Sequence, residues 1–210
     1  MDIEKLGIRK LSEKPVYLAS KSPRRIELLQ RLAGFNLVIK PSLFKENLKH
    51  SDFETPKGYV LATCEAKANE VLNRIDEAFS LLISADTIVS LNRTIFEKAS
   101  DRSMAKTMLQ SLSGKTHQVY TAVTLMYFVG EELKKHSFVE ESSVTFNVLS
   151  DSAIEAYLDT NEWQDKAGSY AIQGISSFFI EKINGDFYNI MGFPCCRFLK
   201  ELTYLFNEQK

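Results

Sequence analysis

Cysteine is scarce in this chain, and the little there is excludes two classes of protein. Cys64, Cys195 and Cys196 are the only thiols. Two are adjacent, and none has the spacing of a zinc site or a disulfide framework. An excess of one charge is missing too: 26 Lys and Arg face 27 Asp and Glu, for a formal net charge of -1. Duplex-binding proteins normally carry a basic surplus, so no nucleic-acid partner is expected. A small nucleotide stays open as a ligand, because a few placed cations suffice to bind it. No apolar run approaches the roughly 20 residues of a membrane span, so no membrane partner is expected. The opening Met1-Asp2-Ile3-Glu4-Lys5 places acids early and has no apolar core. No signal peptide is therefore expected, and the cytoplasm is the default location. With 9 glycines and 5 prolines there is no low-complexity tract, repeat or long linker.

What is present suits a globular α/β protein. At 44% hydrophobic residues the chain can bury a full core, as one large domain or two closely joined lobes. Residues 1–14 are mixed and charged and read as an N-terminal extension; residues 15–210 read as a single domain. Val16-Tyr17-Leu18-Ala19 predicts a first strand. Ser20-Lys21-Ser22 is then a turn, with Ser22 as N-cap and Pro23 at the first position of a helix that Gly34 closes. Arg24 and Arg25 fall in that helix's first turn, where the dipole disfavours cations. Free N–H groups, hydroxyls and two guanidinium groups there could converge on a phosphate; solvated arginines on an exposed turn are the alternative.

Leu81 to Val89 reads as a strand buried on both faces, yet it carries Asp86 at what is expected to be its carboxyl end. A buried carboxylate needs a cation, a metal or N–H donors; a turn-capping aspartate is the alternative. Asn92-Arg93 turns the chain into Thr94-Ile95-Phe96, which returns Lys98 towards Asp86, as its salt-bridge partner or as a phosphate contact. Pro56 opens a helix to about Ile75 with Lys67 beside its inward face, a place where a lysine usually snorkels. Asp101 caps a helix to Leu112 with Met104, Met108, Leu109 and Leu112 on its apolar side. Thr116–Val129 and Leu133–Val148 read as a long antiparallel hairpin, and Ser150-Asp151 caps another helix. A strand is expected at Phe178-Phe179-Ile180, and a last helix from about Ile190 to Phe206. His117 rivals Asp86 as a base, against the alternative of a structural histidine.

Five stretches in order resemble the Maf family of nucleoside triphosphate pyrophosphatases. They begin with Leu18-Ala19-Ser20-Lys21-Ser22-Pro23-Arg24-Arg25-Ile26-Glu27-Leu28-Leu29 and Ser84-Ala85-Asp86-Thr87-Ile88-Val89. Leu112-Ser113-Gly114-Lys115-Thr116-His117, Asp165 to Gly174 and Gly185 to Pro194 complete the set. Pro41 to Glu46 and the N-terminal extension look more like the eukaryotic, acetylserotonin methyltransferase-like branch. The resemblance implies a Maf/ITPase-like α/β fold: an elongated mixed β-sheet flanked by helices, with two lobes around a central cleft. It implies hydrolysis of dTTP and UTP to the monophosphate and pyrophosphate with Mg²⁺ or Mn²⁺, and a homodimer. Asp86 matches the proposed general base. Ser20, Ser22, Arg24, Arg25, Lys67 and Lys98 match phosphate contacts, and Arg24, Thr87 and Gln173 match positions tied to base choice. Glu46 and Lys166 belong to the cleft, and Glu46 with Asp86 could share the metal. Ala99, Trp163, Cys195 and Cys196 depart from the family pattern without removing a catalytic side chain. A nucleotide-sensing regulator of cell division and a nucleotidyltransferase are the other functional classes.

Overall fold

The computed structural model describes residues 11, 14–32 and 35–207. Along them run β1 (Val16–Leu18), α1 (Pro23–Gln30), β2 (Leu37–Ile39), α2 (Pro56–Leu72), β3 (Leu81–Leu91), β4 (Thr94–Phe96) and α3 (Arg102–Leu112). Then follow β5 (Thr116–Val129), β6 (Glu132–Phe146), α4 (Asp151–Asp159), β7 (Ile180–Asn184), α5 (Phe187–Met191) and α6 (Cys195–Asn207). The strands form one seven-stranded sheet in the order β2-β1-β3-β5-β6-β7, with β4 added beside β3. β1 is parallel to both β2 and β3, whereas β4, β5, β6 and β7 pair antiparallel, so the sheet is mixed as expected.

β3 organises the molecule because both its faces are covered. Leu81, Ile83, Ala85 and Val89 join the main core with residues of α1, α3, α4, α5 and α6. Leu82 and Ile88 point the other way and pack with side chains of α2. A period of two thus sends one set of apolar side chains to each layer. Burial of each such side chain contributes about 1.5–3 kcal/mol. Leu11 is also fully buried in the main core, although it lies in the stretch read as an extension. Of that stretch only Leu11 and Lys14 lie among the described residues; Gly34, expected to close α1, does not.

Most element ends follow their local chemistry. Asp101 accepts a bond from the Met104 amide, Ser150 from Ala153 and Thr55 from Gly58, each capping its helix. Ser22 occupies the N-cap position of α1 in an extended conformation, but its side chain makes no cap bond. Asn92 and Arg93, both at positive φ, make the tight turn from β3 to β4.

Four expectations are corrected. Asp86 lies in the middle of an 11-residue strand and not at its carboxyl end. Phe178 is not in a strand: a 3₁₀ helix spans Ile175–Phe179, Phe178 is 85% exposed, and β7 starts at Ile180. The last helix is two helices, because Gly192 turns left-handed at φ 113 and Pro194 follows. Such a glycine ends one helix and proline suits the start of the next. Met104 is exposed, while Met108, Leu109 and Leu112 hold the apolar side of α3. The long hairpin is present as read, but its second strand stops at Phe146.

Candidate active site

The cleft exists because neighbouring strands differ in length. β1 pairs with β3 only over Leu81–Ile83, and β4 only over Val89–Leu91. Between them, among the described residues, the edge of β3 from Ser84 to Ile88 has no strand beside it. Asp86 and Thr87 sit in that gap, at the wall of a cleft of about 610 Å³. This volume falls within the range typical of small-molecule sites. The turn after β1 and the start of α1 form another wall, and the loop from Gln164 to Gln173 closes the far side.

On the α2 face, Asp86 is 7% exposed, and Lys67 donates to its Oδ1 at 2.6 Å. The same ammonium lies 2.8 Å from Oε1 of Glu46, in the loop before α2. That loop is tied down one turn further along the helix, where Glu70 accepts from Ser42 Oγ and from the Leu43 amide. Lys67 therefore bridges two carboxylates; it does not snorkel. Burial pushes the Asp86 carboxyl above the usual aspartate value, and the Lys67 and Arg25 charges offset only part of that. Glu46 is also penalised by burial, but Lys67 and Lys98 bring it below the ordinary carboxylate value. The two carboxylates are thus driven apart, Glu46 towards a fixed anion and Asp86 towards a proton acceptor of raised basicity.

On the opposite face, Thr87 meets the arginines. Arg25 donates from Nε to the Gly192 carbonyl at 2.9 Å, from Nη1 to Ser20 Oγ at 3.3 Å and from Nη2 to Thr87 Oγ1 at 2.9 Å. Arg24 donates from Nε to the Met191 carbonyl at 3.2 Å. Two backbone carbonyls at the end of α5 thus hold both guanidinium groups inside the protein. Burial lowers the pKa of each. An arginine remains charged over the whole physiological range, so both present positive charge to the cleft.

The hydroxyl bonds have one direction. Thr121 Oγ1 donates to the Asn189 carbonyl at 3.0 Å, so its lone proton is spent. Thr87 then donates, to Thr121 Oγ1 at 2.9 Å or to the Gly192 carbonyl at 3.5 Å, and accepts from Arg25. Asn189, fully buried, is itself held through Nδ2 by the Val119 carbonyl and Ser142 Oγ. Sequence reasoning missed Thr121, Asn189 and the carbonyls of Met191 and Gly192. A buried threonine or a main-chain acceptor carries no sequence signal, and only the register Thr87 to Thr121 across β3 and β5 places them together.

Every candidate site residue except His117 can be followed into one place. Ser20, Ser22, Arg24, Arg25, Glu46, Lys67, Asp86, Thr87, Lys98, Lys166 and Gln173 all line the cleft. Lys98 faces it from the end of the β4 hairpin, in a bridge with Ala167, and it is Lys67 that pairs with Asp86. Lys166 is lowered by burial and by the neighbouring Arg24 charge. His117 lies elsewhere. It is fully buried between Phe146 and Tyr170, and its Nε2 is 2.9 Å from the Tyr170 hydroxyl. Burial drops its pKa to about 4, which makes it a neutral structural group.

The fold and the site define an α/β protein with a polyanion cleft: a basic helix N-terminus on one side and a buried carboxylate on the other. The chain belongs to the Maf family, whose Maf-like protein model matches residues 15–205. A Homo sapiens relative, "Probable bifunctional dTTP/UTP pyrophosphatase/methyltransferase protein", is 40% identical over 207 residues. That match covers 95% of this chain and 33% of the relative, so the chain spans about a third of the human protein's length. The dTTP/UTP pyrophosphatase of Bacillus pumilus is 42% identical over 185 residues, covering 88% of this chain and 93% of the relative. That of Carboxydothermus hydrogenoformans is 39% identical over 187 residues, covering 89% and 96%.

Proposed function

We propose that the chain hydrolyses dTTP and UTP to the monophosphate and pyrophosphate, with Asp86 as the base that activates water. The observation that carries this reading is Asp86 itself, a buried carboxylate of raised basicity opening onto a cleft lined by six cations. A triphosphate brings about four negative charges, which Arg24, Arg25, Lys67, Lys98 and Lys166 are placed to meet. Water gives its proton to Asp86 while its oxygen bonds to phosphorus. The bond to the α–β bridging oxygen breaks, and that oxygen leaves with the pyrophosphate. The dTTP and UTP preference rests on the names of the relatives.

The residues present fit a divalent ion that arrives with the nucleotide. Among the described residues, no cluster of three or more His, Cys, Asp and Glu could hold a metal alone. Asp86 and Glu46 spend Oδ1 and Oε1 on Lys67, which leaves Oδ2 and Oε2 for Mg²⁺ or Mn²⁺. Two carboxylates with phosphate and water completing the shell is an ordinary arrangement for Mg²⁺. When bound there, the ion neutralises phosphoryl charge.

Thr87 acts on base choice through Arg25 in this reading, because its hydroxyl donor is already spent. Gln173 reaches the cleft from the far loop and is the direct contact to the base. We place the protein in the cytoplasm as a homodimer, the commonest state of soluble enzymes.

The test is pyrophosphate release from dTTP and UTP with Mg²⁺ or Mn²⁺ by wild type and Asp86→Asn. Wild type should turn over and the variant, folded by its melting curve, should lose at least about a hundredfold in kcat. Unchanged release by Asp86→Asn would remove Asp86 from the chemistry. Tight nucleotide binding without turnover by wild type would favour a nucleotide-sensing regulator instead.

A further inference from the structure

Gln173 lies on a tight turn, and two side chains outside the cleft hold that turn in shape. Ser176, fully buried, accepts from the Ala171 amide and donates to the Ala171 carbonyl, both at 2.8 Å. The Gly174 amide closes the turn on the same Ala171 carbonyl at 2.9 Å. From the other side comes Glu162, whose own amide is bonded to Thr160 Oγ1. Its Oε2 accepts from the Ile175 amide at 3.0 Å, and its Oε1 lies 3.5 Å from the Ser176 amide. The approach is close enough to dictate the residue at 174. A Cβ on Gly174 would stand 2.2 Å from Glu162 Oε1, so only glycine lets the carboxylate reach those amides.

The arrangement is more than a surface ion. Hydrogen bonds from amides to a carboxylate are among the stronger ones, because the acceptor is charged. Two of them end on Ile175 and Ser176, just after Gly174, and the Ser176 clasp ends on Ala171, two before Gln173. The backbone of Gln173 is thus fixed on both sides, while its side chain is left exposed at the cleft.

We propose that Glu162 is a positioning residue for base choice: by gripping the 174–176 backbone, it sets where the Gln173 amide meets the nucleotide base. This rests on the reading of Gln173 as a base contact given above. Glu162 touches neither phosphate nor water in this scheme, so its loss should weaken discrimination and leave the chemical step largely intact.

The experiment compares kcat/KM for dTTP and for GTP in wild type, Glu162→Ala, Glu162→Gln, Gln173→Ala and the Glu162→Ala/Gln173→Ala double variant. Each is first shown to be folded by a cooperative melt. Gln173→Ala should lower the dTTP-to-GTP ratio, and Glu162→Ala should lower it by a similar factor, roughly tenfold. The change in Glu162→Ala should appear in KM for dTTP more than in kcat. Glu162→Gln keeps an oxygen that can accept one amide and should recover much of the ratio. The double variant should discriminate no worse than Gln173→Ala, because the two act as one unit.

A ratio unchanged in Glu162→Ala, with Gln173→Ala altered, overturns the role of Glu162 alone. Losses that multiply in the double variant overturn it too, since Glu162 would then act independently of Gln173. A ratio unchanged in Gln173→Ala sinks the base-contact reading and this proposal with it, while pyrophosphate release persists. Should Glu162→Ala fail to fold, Ser176→Ala opens the same turn from its other side and should give the same loss of ratio without a loss of kcat.

Discussion

The Lys67 ammonium decides how Asp86 titrates. Burial raises the carboxyl, and Lys67 is the largest of the influences that pull it back. Replacing Lys67 by Met removes the cation and keeps a buried stem of similar length. Asp86 should then hold its proton to higher pH, and the acidic limb of the kcat/KM profile should move upward. A limb that stays in place or moves down would show that another group sets it. His117 gives an independent test away from the cleft. Its folded pKa, about 4, lies below the unfolded value of 6.5. The unfolded chain therefore binds the proton first as pH falls, and stability is lost between 6.5 and 4. The expected loss is about 3 kcal/mol from this one group. In urea titrations over that range, His117→Gln should show a shallower decline than wild type, and parallel curves would contradict the assignment. The sequence made Asp86 conspicuous because a charge interrupts an apolar run. It gave no such cue for Lys67, whose partner lies 19 residues away on a different element. Which way a lysine at the margin of an apolar helix face turns depends on the strand packed beneath it.

At the level of elements, two glycines hold the walls of the cleft and fail for different reasons when replaced. Gly192 has φ 113, but a Cβ there would meet nothing nearer than Thr87 Oγ1 at 3.6 Å. Backbone strain is thus the main cost of Gly192→Ala, about 1–2 kcal/mol. Relaxing it would move the carbonyls that Arg24 and Arg25 bind, so KM for dTTP should rise while folding survives. Gly168 adds a clash to its φ of 65, since a Cβ would lie 2.9 Å from Val89 Cγ2. Gly168→Ala should be more damaging in chemical denaturation than Gly192→Ala, and Val89→Ala should rescue part of it by vacating that space. No rescue would mean that φ alone accounts for the loss. These elements also mark how far the sequence was legible. Caps at Asp101 and Ser150, the Asn92-Arg93 turn and the long hairpin all have local signals, and all are present. The split of α5 from α6 also has its signal, Gly192 and Pro194, but the apolar periodicity from Ile190 to Phe206 runs on across it and masks it. Phe178 and Phe179 read as strand by type, yet they sit in a 3₁₀ turn because the Glu162 carboxylate holds the amides just before them.

For the molecule as a whole, the cleft follows from topology: a long central strand flanked by two short ones leaves an open edge, and helices on both faces bring cations to it, Arg24 and Arg25 from α1 and Lys67 from α2. Six cations gathered in one cleft repel each other, and only Asp86, Glu46 and Asp165 among its lining residues offset them. A bound triphosphate should relieve that repulsion, and anything that binds only the folded state stabilises it by mass action. At a hundredfold excess over Kd the gain is about 2.7 kcal/mol. For a chain of this size that corresponds to roughly 5–10 °C in Tm. Asp86→Asn should serve as the vehicle, because it leaves the cations in place and spares the nucleotide from turnover. With this variant, dTTP should raise Tm by that amount and the shift should shrink with added salt. In wild type, Mg²⁺ alone should do little, since no preformed cluster of ligands awaits it among the described residues. A full shift from Mg²⁺ without nucleotide would mean that the metal has its own site and is not carried in by the phosphates. A dTTP shift indifferent to salt would mean that apolar contacts, and not the cations of the cleft, hold the nucleotide.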